Sequence, residues 1–219
     1  MKLEDYDAIV VHTCHRFRYR HEPLKAELKR IGILGRVRFQ MVDTSLHDNV
    51  RLSLRLFLER RWRNALFLED DIRFLKDVDR VREIFATSPD ERDICSFDNF
   101  IHLPQGDLEK IRKIDGWFEY NPRVYGTSCW SVNNREAAEI LARSYDRHPT
   151  MPPDKPCFTC HTDLKNAFHS RGVCVQLCYA DSSNVKHGWQ NVHHGGYFGL
   201  NYRDYNVPED YIFGSIVKP

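Results

Sequence analysis

The first seventy residues alternate between short β-branched apolar runs and amphipathic stretches, and that alternation restricts the fold more than any other feature of the chain. Residues 7–13 (DAIVVHT) form an apolar run of strand length. A basic, aromatic loop follows, from Cys14 to Arg20. Pro23 suits the first turn of a helix, Leu24, Leu28 and Ile31 recur at helical spacing, and Gly32 and Gly35 punctuate the end. Residues 36–42 (RVRFQMV) alternate polar and apolar as a strand does. Residues 49–62 return to helical spacing, with Val50, Leu54, Phe57 and Leu58 on the main apolar face and Arg51, Arg55 and Glu59 on another. Residues 64–68 (NALFL) are a third apolar run. Strand–helix–strand–helix–strand favours parallel strands joined by right-handed crossovers, which is the α/β class.

The remainder reads as a more mixed set. A helix is expected over 77–86, strands over 92–97 and 127–132, and a helix over 135–146, capped by Asn133 or Asn134, with Ala137, Ile140 and Leu141 inward. Four prolines in 149–156 make a loop. A helix capped by Thr162 is expected from Asp163 to Arg171, with Leu164, Ala167 and Phe168 on one face, then a last strand over 173–179. The tail from 180 has no clear periodicity, and no internal repeat is visible.

Composition removes several function classes. Lys+Arg 32 against Asp+Glu 31 gives a formal net charge of +1, so no charge bias points to nucleic acid. No apolar run reaches the roughly 20 residues of a membrane span, and the N-terminal residues lack a signal-type apolar region. The seven cysteines are odd in number, so a reducing, cytoplasmic setting is expected rather than a disulfide framework. Cys157-Phe-Thr-Cys160-His161 matches a haem-attachment spacing by chance. A zinc site from Cys157, Cys160, Cys174 and Cys178 is weakly supported, because CVQLC falls on an expected strand.

The run NALFL passes directly into Glu69-Asp70-Asp71. Ligands of open parallel sheets bind beyond the carboxyl ends of the strands. Three adjacent carboxylates repel one another unless a cation offsets them. Hard divalent cations take oxygen ligands, and alternate residues of an extended chain face one side, so Glu69 and Asp71 are placed to share a metal while Asp70 turns elsewhere. The plainer alternative is a solvated acidic turn paired with Arg73 or Lys76.

ALFLEDDI resembles the acidic signature of GT-A glycosyltransferases. It is most similar to the LEDD-plus-hydrophobic motif of glycosyltransferase family 25, the lipooligosaccharide and procollagen galactosyltransferase group. Further elements match, in order, the pattern of the wider superfamily: residues 7–20, Tyr125-Gly126-Thr127-Ser128 with SVNNREAAEIL, Asp163 in HTDL, and His187 in SSNVKHG. The first strand departs from the family pattern, reading Val-His-Thr-Cys-His-Arg. The segment before Glu69 also departs, with Ser53 its doubtful remnant.

The resemblance implies a GT-A (Rossmann-like) fold with a mixed, mainly parallel sheet. It implies one domain over 1–219, with 1–98 holding a nucleotide sugar and 99–219 the acceptor. The implied activity is metal-dependent, inverting transfer of a hexose, from a UDP-linked donor, to a saccharide or glycolipid such as a surface glycan. The implied setting is the cytoplasm or the inner membrane face, with peripheral contact at most. Mn²⁺ or Mg²⁺ is the expected cofactor, held by Glu69, Asp71 and His187, with Asp70 contacting metal or ribose through water. His193 and His194 rival His187. Asp163 is the expected base, in a first helical turn whose dipole favours its ionised form. His12, Thr13, Arg16 and Arg20 are expected at the nucleotide or its phosphates, and Gly126 at a close backbone approach. Arg18, Arg51 and Arg55 are weaker phosphate candidates, an Arg55–Glu59 pair being the expected use of Arg55. Trp117, Tyr120, Trp130 and Trp189 include candidate sugar platforms. The rival readings are an inactive sugar- or nucleotide-binding protein of the same fold, and a metal-dependent phosphoester hydrolase or nucleotidyltransferase.

Overall fold

The structure is a computed structural model and describes residues 1–97, 112–114, 116–119, 127–151, 163–169, 172–177 and 204–207. The opening pattern folds as the periodicity predicts: β1 (Ala8–Thr13), α1 (His21–Arg30), β2 (Val37–Met41), α2 (Leu46–Arg60) and β3 (Ala65–Glu69). There follow β4 (Ile72–Phe74), α3 (Val78–Ala86), β5 (Ile94–Ser96), β6 (Arg112–Ile114), β7 (Trp117–Glu119), β8 (Cys129–Val132), α4 (Arg135–Arg147), β9 (Asn166–His169) and β10 (Cys174–Gln176). The basic loop after β1 is a 3-10 segment, His15–Arg20, leading directly into α1.

Eight strands form one sheet in the order β2-β1-β3-β8-β5-β9-β7-β6. Strands β1, β2, β3, β5 and β9 run the same way, and β8 lies antiparallel between β3 and β5. This is an α/β fold with a mixed sheet in which most strands run the same way. Alternate residues of β3 explain its uniform hydrophobicity. Leu66 and Leu68 pack with Leu24, Leu28, Val81 and Phe85 of α1 and α3. Ala65 and Phe67 pack on the opposite face with Val50, Leu54, Phe57 and Leu141 of α2 and α4. A strand covered on both faces has no solvated side to make polar.

The helix boundaries have local causes. Helix α2 begins before residue 49 because Ser45 Oγ accepts a hydrogen bond from the Asp48 backbone N–H at 3.0 Å. Gly32, at φ +85°, supplies the left-handed residue just beyond α1. Asn134 caps α4, its Oδ1 accepting from the Ala137 N–H at 2.8 Å while its Nδ2 donates to Asp93 at 2.6 Å. Asn134→Ala loses both bonds, and we expect a destabilisation of about 1–2 kcal/mol in urea titrations.

Two expectations and one rival reading fail. The stretch from Asp163 is not a helix: Asn166–His169 is strand β9, because its backbone completes ladders with β5 on one side and β7 on the other. Leu164 and Ala167 are buried, as the helical spacing required, but a short strand satisfies the same burial. Arg55 pairs with Asp146 of α4 at 2.8 Å rather than with Glu59. The acidic run at the end of β3 is no solvated turn: Asp70 and Asp71 are buried, and among the described residues the cation paired with them is Arg20, in place of Arg73 or Lys76.

Candidate active site

The carboxyl ends of β1, β2 and β3 meet where the chain leaves β1 for β2 and returns to β3 on the other side. That change of direction leaves a crevice between neighbouring strand ends. A cavity of about 540 Å³ lies there, lined by residues 12–17, Arg20, 42–46, Asn49, Glu69, Asp70, Asp71 and Gln176. Its size suits a nucleotide-sized ligand.

The acidic cluster forms one wall. Beyond β3 the chain enters β4, which pairs antiparallel with β10. The Leu177 N–H donates to the Asp71 carbonyl at 2.8 Å, so this ribbon folds over the cluster and buries it. Gln176 is thereby carried to the site, its Nε2 donating to Glu69 at 3.0 Å and to Asp71 at 3.4 Å. Thr127 Oγ1 donates to the other Glu69 oxygen at 2.7 Å. Asp70 accepts from Thr13 Oγ1, which also meets His21 Nε2 at 2.9 Å. Arg20 Nη1 donates to Asp70 Oδ1 at 3.0 Å and to Asp71 Oδ2 at 3.3 Å. The Arg20 guanidinium lies 3.8 Å from the centre of the Phe17 ring, which covers it.

Burial dominates the protonation of Asp70 and Asp71. It raises the Asp71 carboxyl to about 7, against the opposing pull of Arg20, and the Asp70 charge adds to the rise. Burial raises Asp70 as well, opposed by Arg20 and by the Thr13 hydroxyl. Asp71 in the folded chain therefore holds its proton at pH values where the unfolded chain has lost it. Its contribution to stability is complete in acid and lost as pH rises through about 7. We expect the metal-free protein to melt higher at pH 5.5 than at pH 8, and Asp71→Asn to flatten that difference.

His12 has a different character from the one expected. It is buried, stacks on Phe67 at 5.4 Å, and desolvation lowers its pKa to about 3. Gln40 Nε2 donates to Ser53 Oγ at 2.7 Å, and the same Ser53 hydroxyl is hydrogen-bonded to His12 Nε2 at 2.9 Å. His12 is thus a neutral ring in the cavity wall, not a cation for phosphate. Ser53, the doubtful remnant of a family pattern, holds the ring in place through this bond.

Of the expected site residues, the structure brings together His12, Thr13, Arg16, Arg20, Glu69, Asp70 and Asp71. Arg16 is exposed at the cavity. Arg51 is occupied by Asp48 at 3.0 Å. Trp117 and Trp130 are core side chains, 1% and 2% exposed, so neither is a sugar platform. His187, His193, His194, Gly126, Tyr120 and Trp189 lie outside the described residues, as do Cys157, Cys160 and Cys178 of the weak zinc candidate.

Asp163 is not brought to this cavity. It precedes β9, which runs parallel to β5, so it lies at the amino-terminal edge of the parallel strands, whereas Glu69–Asp71 lie at the carboxyl edge. Its neighbours are Asp93, Glu136 and Lys165, around a separate hollow.

Gln176, Thr127 and the His15–Asp43 pair escape sequence reasoning. Gln176 carries a signal, being the one polar side chain in VCVQL. Thr127 stands beside Gly126, and nothing local in the sequence distinguishes its hydroxyl from that of the neighbouring Ser128. The His15–Asp43 pair at the rim, 2.6 Å apart, joins residues too distant in sequence for any local pattern to connect.

The oxygen-rich wall fits a hard divalent cation. Asp71 Oδ1 is buried without a hydrogen-bond partner, and an oxygen so placed calls for a cation or a proton. Among the described residues, no three His, Cys, Asp or Glu side chains already stand in a metal-holding arrangement.

No family model and no curated protein matches the chain by sequence. Among solved structures, it is similar to a glycosyltransferase involved in the glycosylation of the major capsid of PBCV-1. That match has a TM-score of 0.50 and 12% identity, and covers 82% of this chain and 96% of that one. The protein A197 from STIV matches with TM-score 0.46 and 16% identity, covering 74% of this chain and 81% of the other. A mannose-1-phosphate geranyltransferase from Thermus thermophilus matches with TM-score 0.44 and 10% identity, covering 74% and 73%. At these identities the likeness concerns the fold: the chain has a glycosyltransferase-like, GT-A-type fold.

Proposed function

We propose that the chain is a metal-dependent glycosyltransferase that moves a hexose from a nucleotide sugar, a UDP-linked one by resemblance, to a saccharide or glycolipid acceptor. The observation that carries this reading is the buried acidic cluster, with its unpartnered Asp71 oxygen, in a nucleotide-sized cavity at the strand-order switch of a GT-A-type sheet. Kinship with family 25 rests on the LEDD-type sequence alone.

In this reading Asp71 and Glu69 hold Mn²⁺ or Mg²⁺, with His187 as a further candidate ligand. The cation, when bound, supplies Lewis-acid stabilisation to the departing diphosphate. The protein's own groups do the rest. Thr127 and Gln176 fix the two Glu69 oxygens, so that this carboxylate does not rotate. Arg16 and Arg20 offer positive charge to the diphosphate. The neutral His12 and Asn49 form the inner wall against which a base or ribose packs. The sugar's anomeric C–O bond breaks with its electron pair leaving on the diphosphate, and the acceptor oxygen forms the new bond and loses its proton to a base. Asp163 does not serve as that base from the edge it occupies. Residues 1–98 supply most of this cavity, which supports assigning the donor to the first half and the acceptor to the second. A glycolipid acceptor places the work at the cytoplasmic face of a membrane, and among the described residues no helix is long and apolar enough to cross one.

A panel of nucleotide sugars tests this. Release of nucleotide from one donor with Mn²⁺, abolished by chelator, is the expected result. Release that chelator leaves unchanged contradicts the metal-dependent reading.

A further inference from the structure

Arg20 carries an inference beyond donor binding. One of its terminal nitrogens bridges Asp70 and Asp71, at 3.0 and 3.3 Å. The side chain is 3% exposed and is seated over Phe17. The remaining Asp71 oxygen is buried and has no hydrogen-bond partner. The guanidinium therefore stands beside the oxygens that a divalent cation would use, and it comes from the segment between β1 and α1, not from the strand that carries the acids.

We propose that Arg20 is a resident counter-cation that competes with the divalent cation for Asp71. In the metal-free chain Arg20 holds the two aspartates close together. When a cation is taken up at Asp71, the longer Arg20–Asp71 contact is given up and the Arg20–Asp70 contact is kept. The physical ground is that two positive groups a few ångströms apart in a poorly solvated site repel by kilocalories rather than tenths. Affinity for the cation is thereby set below what the acidic cluster alone would give, and the cost is recovered once a diphosphate is present to take the guanidinium. This inference rests on the metal-dependent reading above.

The test is a Mn²⁺ titration of the nucleotide-free full-length chain at pH 8, followed by electron paramagnetic resonance, for wild type, Arg20→Met and Arg20→Lys. Methionine keeps an unbranched stem over Phe17 and removes the charge. Lysine keeps the charge and controls for folding, which circular dichroism monitors in each variant. We expect Arg20→Met to bind Mn²⁺ about tenfold more tightly than wild type, and Arg20→Lys to stay within about threefold. Adding UDP should tighten Mn²⁺ binding in wild type and less so in Arg20→Met. Equal or weaker binding by a folded Arg20→Met protein, beside measurable binding by wild type, overturns the competition alone. Absence of binding in all three overturns the metal reading and the competition with it.

Discussion

Asp71→Asn is expected to abolish donor turnover, lowering it by about a thousandfold, while raising the melting temperature of the metal-free protein at pH 8. The two effects have opposite signs for one reason. Asp71 is 3% exposed, its carboxyl is pushed up to about 7 chiefly by burial, and one of its oxygens has no partner. An ionised carboxylate there costs stability, and asparagine, nearly the same in shape, removes that cost. The same substitution removes the negative oxygen that would hold the cation opposite the leaving diphosphate. Loss of one well-placed electrostatic group in an active site costs about 10²–10³ in rate. Nucleotide release and differential scanning calorimetry on the same preparation read both effects. A folded Asp71→Asn protein with wild-type turnover would remove Asp71 from the chemistry. One with lowered stability at pH 8 would show that the carboxylate is not strained by burial.

Phe67→Ala is expected to produce the largest loss of stability among core substitutions near the site. Phe67 is fully buried in β3, with Trp130 of β8 tilted against it at 5.0 Å and His12 stacked on it at 5.4 Å. Truncating such a ring costs about 3–5 kcal/mol, against a total stability of about 5–15 kcal/mol for a typical domain. Urea unfolding measures the loss. The same cavity loosens the ring of His12, so donor affinity should fall together with stability. Leu66→Ala, on the opposite face of the same strand, should cost comparable stability at less expense to donor binding.

The opening half of the fold was legible because its signals are local and redundant. Each of β1, β2 and β3 is a run of the right length, each intervening helix shows helical spacing, and Gly32 marks the end of α1, whereas the start of α2 escapes because its cap, Ser45, precedes the first apolar position of the helical pattern. The acidic cluster was legible for the same reason, since an apolar strand ending in three carboxylates conflicts with any purely structural use. The partner of that cluster was not. Arg20 reaches Asp70 across fifty residues, and Gln176 reaches Glu69 across more than a hundred, joined only through sheet order and the β4–β10 ribbon. Strand β9 escapes sequence reading because NAFH is too short for its period to be read, and Leu164, Ala167 and Phe168 satisfy a helix equally well on paper. With that helix goes the expected setting of Asp163. The resemblance placed Asp163 by order along the chain, whereas a site is defined by which edge of the sheet a residue occupies.

The most direct measurement is calorimetric titration of UDP and of other nucleoside diphosphates into the wild-type chain, with Mn²⁺ present and again with chelator. A glycosyl donor site built on Glu69 and Asp71 should bind one nucleoside diphosphate at a single site with Mn²⁺, and at least about tenfold more weakly without it. Equal binding in the presence of chelator, or no binding of any nucleotide to the folded protein with Mn²⁺, would contradict the account.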